Sequence, residues 1–169
     1  MRESDKFKID IYKLKNGEHE YLFTIDKPFF DELPIDDILK GKGVVNVKLR
    51  KSESLIEGEF KIELRVTLEC DRSLEAFPFY INRQEQLIFK FGDEDAELDD
   101  NIVMIHRDKQ RLDLAHYIYE FIHMSIPMKR LHPRFGEDTD EDELIYTSEK
   151  NDKVNEVDPR WEQLKSLKK

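Results

Sequence analysis

The fold is decided by residues 59–70, which read EFKIELRVTLEC and alternate strictly between apolar and polar side chains. The even positions, from Phe60 to Cys70, are apolar, and the odd positions, from Glu59 to Glu69, are charged or polar. Because successive side chains of a strand point to opposite faces, this period of two predicts a β-strand with one buried face. The same pattern places Cys70 at the buried end of that strand.

The segments on both sides of this strand predict an antiparallel meander over residues 44–91. VVNVKLR (44–50) alternates in the same way before a polar turn. The apolar positions of 77–81 and 87–91 predict a long strand or a broken pair of strands. Gly92 then opens an acidic loop, GDEDAELDD.

Two shorter elements are predicted ahead of the meander. KFKIDIYKL (6–14) alternates like a half-buried strand, and we expect it to pair with EYLFTI (20–25) across an Asn16-Gly17 turn. LPIDDILKGKG (33–43) predicts a short helix that ends at its glycines.

A helix of about four turns is predicted for RLDLAHYIYEFIHMSI (111–126), because its apolar residues recur at helical spacing. Pro127 ends it. The predicted fold class is therefore α+β: an antiparallel twisted β-sheet or partly closed barrel, one long packed helix, and a largely disordered acidic C-terminal tail.

The 169 residues divide into three predicted parts. Residues 1–132 form a single β-rich α+β domain. Residues 133–157 carry three Lys/Arg against nine Asp/Glu and predict an acidic flexible linker. Residues 158–169 predict a short, basic amphipathic helix, with Asp158 as its cap and Pro159 in its first turn.

Composition narrows the possible classes of protein. A single cysteine excludes an internal disulfide framework. Since no apolar run approaches the roughly 20 residues of a membrane-spanning helix and no signal-like segment opens the chain, we expect a cytoplasmic protein without a membrane partner. A net charge of −10 is unfavourable for general binding to phosphate backbones, so any RNA contact would be local or made through a partner protein.

Cys70 is the candidate for nucleophilic or zinc chemistry. A thiolate nucleophile needs a nearby base, for which the sequence offers four histidines: His106, His116, His123 and His132. A zinc site needs close ligand pairs, but Ser73 stands three residues after Cys70. Unpaired cysteines are usually buried, and the alternation favours a core role here. We therefore expect no catalytic residue, no metal and no cofactor, with a cysteine- or metal-dependent enzyme centred on Cys70 as the alternative.

Candidate binding residues lie at two places. Arg72, beyond the end of the strand, suits a phosphate or a carboxylate, although pairing with Asp71 or Glu75 is the simpler interpretation. In the C-terminal segment, Trp161 either anchors into a partner or packs on the protein's own core. The cations near it complete the candidate set: Arg160, Lys165 and Lys168.

Three segments, in this order, resemble one known family. VTLECDRSLEAF (66–77) is similar to the Cys-x-Arg-Cys motif of the YceD family, the large ribosomal RNA subunit accumulation proteins. LDLAHYIYEFIHMSIPMKRLHP (112–133) resembles the family's later helix, and DPRWEQLKSLKK (158–169) resembles its ending. The positions that match the family's motifs are Cys70, Arg72, Pro127, His132, Asp158, Pro159 and Leu164. Ser73 replaces the second cysteine, which places a shared zinc site in doubt.

The resemblance implies a bacterial, non-enzymatic factor that supports 23S rRNA accumulation and large ribosomal subunit biogenesis. Its implied partner is large-subunit ribosomal RNA or a ribosomal protein such as L32. An acidic β-rich module is compatible with a basic protein partner, and Arg72 with the basic C-terminal segment is compatible with RNA.

Overall fold

The computed structural model describes residues 3–136, in which eight strands and two α-helices follow one another. A short 3-10 helix stands near each end of this region, at Glu3–Phe7 and Pro133–Phe135. The strands are β1 Lys8–Asp10, β2 Gly17–Ile25, β3 Ile38–Lys51, β4 Leu55–Glu69, β5 Ala76–Gly92, β6 Ala96–Asp99, β7 Ile102–His106 and β8 Arg111–Asp113. The helices are α1 Lys27–Glu32 and α2 Ala115–Met124.

The alternation that predicted β4 is confirmed. All the apolar side chains from Phe60 to Cys70 are at most 2% exposed, while their odd-numbered neighbours are exposed or half-buried. β4 lies between β3 and β5 and pairs with both over nearly its whole length. The meander predicted over 44–91 is therefore the centre of the protein.

The sheet is mixed and open, which corrects two expectations. Its six strands run in the order β2-β3-β4-β5-β7-β6, and the edge strands β2 and β6 do not meet, so the expected partial barrel is wrong. β7 pairs with β5 in parallel, so the sheet is not wholly antiparallel. The chain passes through β6 first and then returns to place β7 next to β5. This order fits burial, since Val103 and Ile105 of β7 are buried, whereas no residue of β6 is.

The predicted pairing of the first two strands is wrong. β1 pairs with β8 in a separate two-stranded sheet, and β2 pairs with β3 from Gly17↔Lys51 to Ile25↔Gly43. Gly17 does turn the chain, with φ of +132°. Pairing with the long β3 provides β2 with a partner along its whole length, which β1 is too short to do.

The helix predicted for residues 33–43 is also wrong. α1 lies earlier, with Pro28 in its first turn, and residues from Ile38 onward belong to β3. Gly43 does not end a helix there. It permits close strand contact, because a Cβ at this position would overlap the carbonyl of Glu63 and the backbone of Leu64.

The long helix is confirmed in part. α2 covers Ala115–Met124, about three turns, because Arg111–Asp113 pair with β1 as a strand instead of extending the helix. The acidic segment after Gly92 is also more ordered than expected, since it contains β6. The apolar positions of 77–91 belong to one continuous strand, β5.

The core lies on one face of the sheet. α2 packs there through Phe121 on Phe60 and Tyr117 on Phe89, with ring centroids 5.2 and 5.3 Å apart. Phe7, just before β1, contacts Phe29 of α1 at 5.3 Å. On the opposite face of β3, β4 and β5, the side chains are exposed or half-buried, which leaves a broad polar surface.

Candidate functional site: the β4–β5 loop and the segment after α2

The resembling motif begins where the β4–β5 hairpin turns. Glu69 and Ala76 are the last paired residues, and residues 70–75 form the loop between them. The Cys70 amide donates to the Glu75 carbonyl at 3.0 Å, and the Leu74 amide donates to the Cys70 carbonyl at 2.8 Å. Leu74 has φ of +57°, a left-handed conformation that is uncommon for a non-glycine residue. The backbone is thus held in a compact, defined turn.

The sulfur of Cys70 is the buried acceptor of this turn. The residue has 0% exposure, and the backbone amide of His132 donates to Sγ at 3.2 Å. Burial raises the pKa of the thiol. Hydrogen bonds from the Ser73 side chain and from the amides of His132, Ser73 and Arg72 lower the pKa by more than burial raises it, so the net value is about 7. These donors favour the thiolate because they stabilise negative charge on sulfur.

The segment that follows α2, residues 128–136, folds back onto the β4–β5 loop. Asp71 and Arg130 connect the two segments by reciprocal bonds. The Asp71 amide donates to the Arg130 carbonyl at 2.8 Å, and the Arg130 amide donates to the Asp71 carboxylate at 2.7 Å. The Arg130 guanidinium adds bonds of 3.1 and 2.6 Å to Asp71 and also contacts Asp37. The Asp71–Arg130 contact, which consists of several charge-assisted hydrogen bonds, is the polar centre of the site.

Aromatic rings complete the contact between the two segments. Phe135 lies beneath two guanidinium groups, with Arg72 5.0 Å and Arg134 4.8 Å from its ring centroid. Arg134 also pairs with Glu75. The ring of His132 packs edge-on against Phe77 at 5.8 Å. The motif residues Cys70, Arg72 and His132 are therefore brought together, although His132 is far from the other two in sequence.

The arrangement is informative about the candidate roles. Arg72 stacks on Phe135 and makes no ion pair with any residue in the range 3–136, so neither Asp71 nor Glu75 is its partner. Its guanidinium N–H groups therefore have no acceptor among residues 3–136. His132 approaches Cys70 through its backbone, while its ring Nδ1 accepts from the Arg134 amide at 3.2 Å. The ring is thus engaged away from the sulfur.

The other candidate histidines lie elsewhere. His116 faces Glu120 at 3.0 Å on α2, the His123 ring is tilted against Tyr119 with centroids 6.1 Å apart, and His106 lies near Asp108. Over the described range, no three His, Cys, Asp or Glu side chains are grouped as metal ligands would be. No helix in that range is long and apolar enough to cross a membrane.

Some positions of interest are not part of the contact, and others were missed. Pro127 is exposed beyond the end of α2. The remaining candidates lie outside the described residues: Asp158, Pro159, Arg160, Trp161, Leu164, Lys165 and Lys168.

Sequence reasoning missed Arg130, Asp37 and Phe135. Arg130 and Phe135 are close in the chain to His132, and Asp37 is close to Pro34. No spacing rule, however, pairs Asp37 or Asp71 with Arg130.

A sequence model of one family covers both segments of this site, although not Asp37. The family described as large ribosomal RNA subunit accumulation protein YceD matches residues 58–168, well over half of the 169-residue chain. The protein belongs to the YceD family. The match begins within β4 and includes both the β4–β5 loop and the segment after α2. No curated protein and no solved structure matches the chain.

The family's name gives the protein a role in the accumulation of large-subunit ribosomal RNA. That description names an accumulation factor and not a reaction.

Proposed function

We propose that the protein is a non-enzymatic, cytoplasmic factor that supports 23S rRNA accumulation and large ribosomal subunit biogenesis by binding rRNA or a basic ribosomal protein such as L32. The observation that carries this proposal is the family match over residues 58–168. It spans both segments that meet at Cys70, so the shared sequence and the best-defined polar contact of the structure coincide.

The environment of Cys70 supports a binding role. The sulfur is buried and accepts hydrogen bonds from both segments, which is typical of a group that stabilises the contact between them. Arg72, in contrast to the buried sulfur, is exposed, and its guanidinium lies over the ring of Phe135. A fixed loop that presents an arginine on a rigid hairpin suits recognition of a phosphate or a carboxylate.

The two partner classes would meet different parts of the surface. A basic ribosomal protein would be attracted to the acidic side, where Glu97, Asp99, Asp100 and Glu120 are among the residues that line an open cleft of about 870 Å³. RNA would need cations that are not already neutralised by carboxylates. Both are compatible with a chain whose net charge is −10.

A cysteine-dependent enzyme is the second candidate function. The pKa of Cys70, lowered to about 7, favours it, because a thiolate is the reactive form. Against it stand the full burial of the residue and the position of the His132 ring, which bonds the Arg134 amide. A substrate has no access to the sulfur without separating the two segments.

The test is complementation in cells that lack the protein. We expect loss of the protein to lower the ratio of 23S to 16S rRNA, and wild-type protein to restore it. The Cys70→Ser variant should restore it as well, whereas an enzyme would lose its activity with the thiol. Purifying tagged protein with and without nuclease then separates the partners: co-purification of L32 that survives nuclease favours the protein route, and nuclease-sensitive co-purification favours RNA.

A further inference from the structure

The face of the sheet opposite α2 carries a cluster of exposed cations next to an exposed aromatic ring. Lys42, Arg65 and Tyr80 are direct cross-strand neighbours on β3, β4 and β5. Lys40 lies one row closer to the β4–β5 loop, opposite Thr67. Both lysines and Arg65 are exposed, and Tyr80 is 53% exposed. We infer that this cluster, here called the outer basic patch, binds a single-stranded segment of RNA.

The charges of the patch differ from those of the rest of the same face. Farther along β3, Arg50 is neutralised by Glu18 at 3.0 Å and by Glu57 at 3.5 Å. On β4, Lys61 pairs with Glu63 at 2.7 Å. Lys40, Lys42 and Arg65 form no ion pair with any residue between positions 3 and 136, so their positive charge faces solvent. A polyanion gains most from binding where cations are not already paired.

The register sets the spacing of these cations. Residues paired across neighbouring strands have Cβ atoms roughly 4.5–5.5 Å apart, and successive same-face residues along a strand are roughly 6.5–7 Å apart. Lys40, Lys42 and Arg65 thus form a triangle on the paired strands β3 and β4, with Lys40 next to a register shift in β3 and Arg65 also paired to β5. Such a rigid triangle can contact neighbouring phosphates of one strand with little loss of backbone entropy.

Tyr80 distinguishes RNA from other anions. An exposed aromatic ring beside cations on a flat sheet is the arrangement on which unpaired bases stack, and bases are accessible for stacking only in single-stranded segments. An acidic peptide would use the cations but gain little from the ring. An anionic membrane would be repelled by the excess of carboxylates elsewhere on the protein.

The inference rests on the proposed function, since it names the partner through which the protein would act on ribosomal RNA. It also explains how an acidic chain can hold RNA: the contact is confined to one end of one face.

The test uses the full-length protein and a fluorescein-labelled single-stranded RNA of mixed sequence, with binding followed by fluorescence anisotropy. The Lys42→Gln/Arg65→Gln double variant should weaken binding on the order of tenfold and reduce the slope of log affinity against log salt by about 1.4. Tyr80→Ala should weaken binding at least about fivefold, while Tyr80→Phe retains it, because the ring face is what stacks.

The matched control is Lys48→Gln/Arg50→Gln, which removes the same number of positive charges from the same face. Arg50 is ion-paired, and Lys48 lies between Glu20 and Glu59 in the register. We expect this control to bind RNA as the wild type does. Equal loss in control and patch variants, or no measurable RNA binding by the wild type at low salt, overturns the inference. So does tighter binding of poly-glutamate or of phosphatidylserine vesicles than of RNA.

The failure of the patch and the failure of the proposed function have different signatures. If cells lacking the protein accumulate 23S rRNA normally, the proposed function is wrong whatever the protein binds. If they do not, but the Lys42→Gln/Arg65→Gln variant restores 23S rRNA as fully as the control variant, the function stands and the patch is not its RNA site.

Discussion

Asp71 and Arg130, 59 residues apart in the chain, exchange hydrogen bonds through both backbone and side chains. This pair holds the β4–β5 loop against the segment that follows α2. The pair connects residues 70–75 to residues 128–136, and these two segments contain the buried Cys70, the ring of His132 and the stacked Phe135. Its energetic weight can be measured directly.

We expect Asp71→Ala to destabilise the protein by about 1–2 kcal/mol, because it leaves the Arg130 guanidinium and amide without their main acceptor. Urea denaturation gives the free energy of unfolding, and hydrogen exchange should show faster exchange at the amide of His132. Glu69→Ala is the control, since Glu69 is exposed and lies only two residues away. A free energy of unfolding equal to that of the control variant would show that the pair is not a structural contact.

Replacing Cys70 with Ala should destabilise the fold mildly and leave 23S rRNA levels nearly intact. The residue is buried next to Leu68 on the core face and supplies a hydrogen-bond acceptor to the His132 amide. Melting curves and the ratio of 23S to 16S rRNA test both parts. Complete loss of 23S accumulation by a folded variant would contradict the structural role and restore the enzyme alternative.

The lowered pKa of Cys70 predicts a pH dependence of stability. The folded-state pKa of about 7 lies below the ordinary thiol value of 9.0, so the thiolate stabilises the folded protein. That contribution is complete above pH 9 and is lost as the pH falls through 7. The stability difference between wild type and Cys70→Ala should therefore grow between pH 7 and pH 9, as measured by urea denaturation at several pH values. A difference that is constant over this range would show that the thiol remains protonated.

Purified protein should contain no stoichiometric zinc. Ser73 stands where a second cysteine ligand would be needed, and its hydroxyl donates to the Glu75 carboxylate at 3.2 Å. Inductively coupled plasma mass spectrometry of protein prepared without chelator measures this. One equivalent of zinc per chain would refute the expectation and require ligands beyond residue 136.

Deleting residues 158–169 should weaken partner binding without lowering the melting temperature of the domain. The segment contains Trp161 and the cations Arg160, Lys165 and Lys168, and none of these lies among the described residues. Trp161→Ala is the finer variant, since it removes the aromatic anchor and retains the charge. If the melting temperature instead drops by several degrees, the segment packs on the domain and is structural.

Local patterns determined the parts of the fold that sequence predicted correctly. Each residue from Phe60 to Cys70 lies on the face that the alternation assigned, because burial of one face leaves no other register. Pairing between distant segments was not accessible in this way. β1 has only three residues, and nothing in them specifies β8 over β2 as a partner.

The site was predicted unevenly for a similar reason. The resemblance selected Cys70, Arg72 and His132, and the structure brings these together. The pairing of Asp71 with Arg130 was not predicted because the chain has 38 acidic and 28 basic residues, so opposite charges alone identify no pair. The outer basic patch was missed because Lys42, Arg65 and Tyr80 are far apart in sequence and become neighbours only through the register of three strands.

The pairing of β1 with β8 also affects how the protein is made. Lys8 is opposite Asp113, so β1 has no strand partner until residue 113 has been synthesised. At roughly 5–20 residues per second, this delay is about 5–20 s. Until then Ile9, which is 5% exposed in the folded protein, lacks its cross-strand neighbour Leu112. The antiparallel pairs β2–β3, β3–β4 and β4–β5 can form first, so we expect closure of the N-terminal segment to be a late step of folding.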